Sequence, residues 1–434
     1  MNPRWAAGAA AIASVALLTA GTFHFGLHTD DYFMLRPHTW GELRRAWHGS
    51  WDWGQVWPPY YRPLTVWASQ ATFTLTGFSA PAIRTVVALE LVAVAWLLGQ
   101  FVMRELRSPV AGAFAAALIT VQPAAVLSMG WYFQQNHRWA AAATVTAFLL
   151  WQRLRRTPSA AAWWPIHVAV LTGTLFKEDV LAVEPLLLLW QWMRARWIGD
   201  VPRPTVRMSM ALAAGCGLFV LARRLLLGQL GGELEALRGP MDIPHHIGWS
   251  LYAGLIRFRD LHTGTSPAQW CASAATASLW IAGGVAAWRR RSPSALLMAQ
   301  GATLALTSAI MASVAVPWYT RHHIIAMGGV LIAAGCLTAI VDRSWPGRRV
   351  IAGAAASALL IASLFASRGV LMSYGPCDPN TLDEDGNLSA WIGARPIPEF
   401  QWIRPWLDLK ARLCDSGTYY DVDEAVRRGE IKIQ

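Results

Sequence analysis

The chain carries apolar runs long enough to cross a membrane. Trp5 to Phe25, Ala82 to Met103, Pro293 to Pro317 and Val350 to Ser367 stand out, each about 20 residues, which at about 1.5 Å rise per residue crosses a hydrocarbon core of about 30 Å. With 54% hydrophobic and only 15% charged residues, an ordinary soluble enzyme is excluded. The expected fold class is an all-α polytopic membrane protein. A net charge of +11 would also suit a nucleic-acid partner. However, the Lys and Arg residues cluster at the ends of apolar runs, where the positive-inside bias accounts for them. No nucleic-acid partner is expected.

Charges and apolar stretches place eleven spans, centred on residues 5–25, 82–103, 109–128, 139–151, 159–175, 180–193, 208–222, 268–287, 294–317, 323–341 and 350–367. Segments 1–4, 104–108, 152–158, 194–207, 288–293 and 342–349 hold 16 Lys/Arg and 3 acids in 44 residues, whereas 26–81, 129–138, 176–179, 223–267 and 318–322 hold 12 Lys/Arg in 120. The contrast predicts an N-terminus inside and a C-terminus outside. Residues 5–25 have some features of a signal peptide, but their length and continuation into a polar loop read as an uncleaved first helix. The expected division is a membrane domain over 1–367, with outer loops 26–81 and 223–267, followed by an outer tail over 368–434.

In the first outer loop Trp40, Leu43, Trp47 and Trp51 recur at helical spacing, a pattern for a helix lying in the membrane interface. The tail is polar and Pro-rich and is expected to be a small cap. Of five cysteines, Cys377 and Cys414 alone lie in the tail, so a disulfide between them is expected on the oxidising side. No Cys/His zinc spacing occurs.

Several charged motifs sit at the outer ends of spans. Thr29-Asp30-Asp31-Tyr32 follows the first span, and a carboxylate there can take a proton from an acceptor hydroxyl or help hold a divalent cation. An isolated Asp pair is also compatible with a solvated helix end. Tyr61-Arg62-Pro63 places a guanidinium on a stiff extended turn, although a snorkelling arginine would read the same way. Lys177-Glu178-Asp179 sits between two apolar stretches, where charges face a cavity or a partner unless the turn is solvated. Glu90 and Glu184 lie within spans and raise the same question. Arg223 and Arg224 stand on the outer side against the charge bias, which points to an anionic partner such as a lipid phosphate. Trp318 to His323 adds Arg321. The pairs His245-His246 and His322-His323 lack the carboxylates of a metal site, and no metal is assigned.

In order, TDDY, a long loop ending in YYRPLT, FKEDVLAVEPLLLL, ARRLLLG and WYTRHHIIAMGGVLI resemble the GT-C superfamily of membrane glycosyltransferases over roughly residues 1–345. The likeness is to the branch with the TMTC-type protein O-mannosyltransferases and related bacterial transferases. It implies a GT-C fold of about eleven membrane helices and inverting transfer of a sugar from a polyprenyl-phosphate donor. The acceptor would be a lipid, glycan or protein at the outer face, for a bacterial chain the outer face of the inner membrane, with membrane lipids as surroundings. By resemblance Asp30 and Asp31 are the catalytic candidates; Asp30 is preferred because it stands nearer the end of the first helix. Arg62, Lys177, Arg223 and Arg321 would bind the donor phosphate, supported by Tyr61, Glu178 and Arg224. The tail departs from the TMTC pattern in having no tetratricopeptide period. A polymerase or ligase of O-antigen type, a flippase for lipid-linked sugars and a non-enzymatic assembly subunit are the alternatives; no related pair of broken helices supports the flippase.

Overall fold

A computed structural model describes residues 3–22, 31–49, 61–122, 132–157, 159–227, 292–313, 323–342, 347–372, 375–377, 379–394, 401–419 and 421–432, with Ile247, Val285 and Arg289 as single positions. Among these residues the secondary structure is helical and no strand occurs. The chain begins with α1 (Pro3–Thr19), α2 (Asp31–Met34), α3 (Trp40–Arg45), α4 (Pro63–Thr76), α5 (Ala80–Leu106) and α6 (Pro109–Thr120). It continues through α7 (Gln135–Leu154), α8 (Ala160–Thr174), α9 (Val183–Trp197), α10 (Val206–Leu227), α11 (Pro293–Ser313), α12 (His323–Val341) and α13 (Arg348–Met372). The tail adds α14 (Pro379–Ala394), α15 (Ile403–Asp415) and α16 (Val422–Arg427).

Each predicted span over described residues coincides with a helix; the one at 268–287 lies outside them save for Val285. Ala80–Leu106, Val206–Leu226, Ile324–Val341 and Arg348–Phe365 are long and apolar enough to cross a membrane. Others are shorter or carry polar residues: α7 opens with Gln135-Asn136-His137-Arg138, and α8 contains Pro165. The core is aromatic where α5, α7 and α9 meet, with Phe148 and Trp151 4.8 and 5.9 Å from the Trp190 ring. Helices α11 and α12 cross so closely that a Cβ on Gly301 would stand 2.5 Å from the Gly328 carbonyl oxygen. Small residues permit this backbone approach.

Ion pairs define the two ends of the bundle. At one end Glu105 bridges Arg155 and Arg194, and Arg194 also holds Asp200 at 2.7 Å. These residues belong to three of the basic loops that the charge count groups together. At the other end lie Asp31, Arg62, Glu178 and Arg223.

The first loop holds more structure than its sequence suggests. Helix α3 forms where the tryptophan pattern predicts it, closed by a capping box between Thr39 and Glu42. Helix α4 was not anticipated, because its Ser, Thr and Gln residues blur the apolar period. Pro63 at its first turn and Gly77 just beyond its end, at φ 55°, were the available signals.

Helix α13 runs to Met372, past the expected boundary at 367, and Arg368 donates to the carbonyls of Leu17 and Ala20 at the end of α1. The Cys377–Cys414 disulfide is formed. The tail helices share a core with α2 and the start of α5: Ile403, Trp406, Leu407 and Leu413 pack with Tyr32, Phe33, Phe78 and Ile83. Lys410 and Asp385 form a buried ion pair at 2.5 Å, and Asp423 accepts from the Phe78 amide at 3.2 Å.

Candidate functional site

The site is built around one carboxylate. After α8, Phe176 and Lys177 both donate their amides to the Gly173 carbonyl, which turns the chain sharply at the end of the bundle. Gly173 is required there, since a Cβ would lie 2.7 Å from both Ala143 and Val180. The turn presents Glu178 at the start of a short 3-10 segment, Glu178–Ala182.

Two arginines from distant elements close on it. Arg62, which precedes Pro63 at the head of α4, donates through Nε to Glu178 Oε2 at 2.9 Å and through Nη2 to Oε1 at 3.1 Å. One turn on, Thr65 Oγ1 donates to the Phe176 carbonyl at 3.2 Å and pins the head of α4 to the same turn. Arg223, near the end of α10, donates through Nη2 to Glu178 Oε1 at 3.2 Å. Both guanidiniums are nearly buried, while Glu178 is 23% exposed. Among the described residues the buried Nε of Arg223 has no hydrogen-bond partner. Burial would raise the Glu178 carboxyl, but Arg62, Arg223 and Lys177 outweigh it and hold the group well below the usual carboxylate range. The structure thus gathers three cations on one anion, a group suited to binding a further anion.

The other candidates are placed as follows. Lys177 is half-buried beside Glu178. Arg224 is exposed, next to Arg223 but outside the contact. Tyr61 donates its hydroxyl to the Trp47 carbonyl at 3.3 Å. Asp30 and Arg321 lie outside the described residues, as do His245, His246, His322 and most of the second outer loop. Asp31 is fully buried, and its charge acts on Arg84 of α5 and on Tyr32. Among the described residues no three His, Cys, Asp or Glu side chains converge as a metal site.

Two polar groups inside the bundle complete the picture. Beneath α4, Gln135 accepts from Ser69 and Tyr132 and donates to Thr72 and Glu90, while Arg138 pairs with Glu90 at 2.6 Å. Lower down, Glu184 meets His167 Nδ1 at 2.5 Å and accepts from the Cys216 thiol at 3.1 Å. The two glutamates within spans are therefore both partnered. Arg84 was missed in the sequence, although an arginine four residues into an apolar helix was itself a signal.

No protein-family model matches the chain, and no curated protein matches it. Solved structures do. The crystal structure of the oligosaccharyltransferase of Archaeoglobus fulgidus in its apo form superposes with a TM-score of 0.52 at 13% identity, over 92% of this chain and 59% of that one. The same enzyme tethered to an acceptor peptide with the NVT sequon gives 0.53 at 13% identity, over 93% and 58%. This chain therefore spans less than two thirds of the length of these neighbours. The likeness shows the fold: an all-α GT-C architecture, as the sequence motifs imply.

Proposed function

We propose that the chain is an inverting membrane glycosyltransferase that moves a sugar from a polyprenyl-phosphate carrier to an acceptor on the outer face. The observation that carries the reading is the meeting of Arg62 and Arg223 on Glu178, with Lys177 beside them. A polyprenyl donor keeps its isoprenoid chain in lipid and its phosphate at the interface, so its site needs cations at the ends of helices. Two nearly buried guanidiniums, pre-set by one carboxylate, meet that need without reorganising during the reaction. The GT-C fold supports the same reaction class.

In the step itself the bond between the anomeric carbon and the carrier's phosphate oxygen breaks, and the acceptor hydroxyl oxygen bonds to that carbon from the opposite face. The electron pair leaves with the carrier phosphate, against Arg62, Arg223 and Lys177. The hydroxyl proton passes to a carboxylate, assigned to the Asp30-Asp31 segment with Asp30 as the base, a role that typically contributes about 100- to 10,000-fold in rate. Arg321 joins the phosphate site in this reading, and Tyr61 and Arg224 line its approach. The acceptor class is lipid, glycan or protein; the acceptor peptide held by the archaeal neighbour supports the last. The Cys377–Cys414 disulfide supports a tail on the oxidising side of the membrane.

Purified protein in detergent, incubated with a panel of labelled polyprenyl-phosphate sugars and candidate acceptors, tests the proposal. A transferase consumes one donor where no two sides exist. A flippase consumes none, and that outcome would overturn the reading.

A further inference from the structure

The C-terminal tail touches the chain at a telling place. Tyr32, the residue after Asp31, is fully buried, and its hydroxyl accepts from Trp406 Nε1 at 2.7 Å across 374 residues of sequence. Trp402 meets the same ring edge to face at 6.1 Å. Asp31 and Tyr419 both lie near enough to Arg84 and to Tyr32 for their charges to be felt there, so charged and polar groups of α2, α5 and the tail face one another in this region. The tail is braced in that position by the Cys377–Cys414 disulfide, the Lys410–Asp385 pair and the bond from Phe78 to Asp423.

A cap that only shielded apolar surface would need no directional bond at its centre. A buried indole N–H left without its acceptor is costly, so the Trp406–Tyr32 bond holds the tyrosine in one orientation. Tyr32 lies in α2, directly after Asp31, and the Leu35 amide closes that turn on the Asp31 carbonyl at 2.8 Å, so the clamped ring and Asp31 belong to one short helical turn.

We infer that the tail completes the catalytic unit, with Trp406 and Tyr32 as positioning residues that set where Asp31 stands at the head of α2. The inference rests on the proposed function for its kinetic consequence and on geometry for the clamp. The clamp needs no substrate to be tested.

The test uses the full chain with Trp406→Phe, Tyr32→Phe and both together. Misplacing a reacting group by about 1 Å costs about 100-fold, so each single variant is expected to lower kcat by about 10- to 100-fold while the donor KM stays within about twofold. Because the bond is shared, the double variant is expected to lose no more than the worse single. Wild-type kcat in both singles, or additive losses with KM rising in step, would overturn the inference. If the wild-type chain consumes no donor, the proposed function fails while the clamp is still decided by hydrogen exchange. Amides of Phe33 to Leu35 are expected to exchange about tenfold or more faster in Trp406→Phe, with those of Ala95 to Phe101 unchanged; equal protection at Phe33 to Leu35 would overturn it.

Discussion

Arg62 and Glu178 lie 116 residues apart in the chain and meet through two parallel hydrogen bonds, of 2.9 and 3.1 Å. Such a fork fixes the plane of the guanidinium, which a single contact would leave free to turn. Arg223 reaches the same carboxylate from a third element, so Glu178 serves as a template on which two cations are held apart yet aimed together.

Replacing Glu178 by Gln keeps the shape and removes the charge that both arginines share. With the carboxylate partly exposed, the expected loss of stability is about 1 to 3 kcal/mol, less than for a fully buried pair. Arg62→Ala added to Glu178→Gln should cost little more than either change alone. Thermal denaturation in detergent checks both points. The pH sign follows from the lowered Glu178 carboxyl: its contribution is present above the unfolded value of about 4.3 and is lost only as pH falls from there toward the folded value. The cluster is therefore expected to be as stable at pH 5.5 as at pH 7.

His38 loses its contribution in the same direction, as pH falls, but in a higher window. Burial and the neighbouring Arg36 push it down to about 4, against an unfolded value of about 6.5. Its ring is therefore neutral in the folded chain at pH 7, with Nε2 3.2 Å from the Met34 carbonyl. Stability of the segment is expected to be full above about pH 6.5, to fall as pH drops toward 4, and to level off below that, by about 2 to 3 kcal/mol in all. Hydrogen exchange over residues 31–49 at pH 7 and pH 5 checks this, and His38→Asn should flatten the difference.

Reducing the Cys377–Cys414 disulfide opens a loop of 37 residues. On a chain-entropy model the closed loop is worth about 3 to 4 kcal/mol, and the tail depends on it because part of its core belongs to the membrane domain. Dithiothreitol is expected to expose residues 379–432 to protease while helices α5 to α9 stay protected.

The sequence made the spans legible because apolar runs at membrane length have few other uses. The tail disulfide was legible for a similar reason, as Cys377 and Cys414 alone stood in a polar segment. Helix α4 was not, since Thr65, Ser69, Gln70 and Thr72 turn their polarity inward to bond the turn at Phe176, the Gln135 network and the His38 amide. The motif order singled out Arg62, Glu178 and Arg223 as residues of one cavity. That the arginines bind the glutamate was beyond it, because pairing across 116 and 45 residues depends on tertiary packing. The burial of Asp31 was hidden for the same reason: Trp402 and Trp406, which pack on its neighbour Tyr32, come more than 350 residues later.

On the proposed mechanism the cationic cluster and the two-Asp segment act on one polyprenyl-phosphate donor. Donor consumption measured side by side for the wild type, Arg223→Ala, Asp30→Asn and Asp31→Asn tests it most directly, with donor binding recorded for each. Arg223→Ala is expected to weaken donor binding, Asp30→Asn to abolish transfer while binding survives, and Asp31→Asn to lower transfer to an intermediate rate. Wild-type turnover in both Asp variants, or undiminished donor binding in Arg223→Ala, would contradict it.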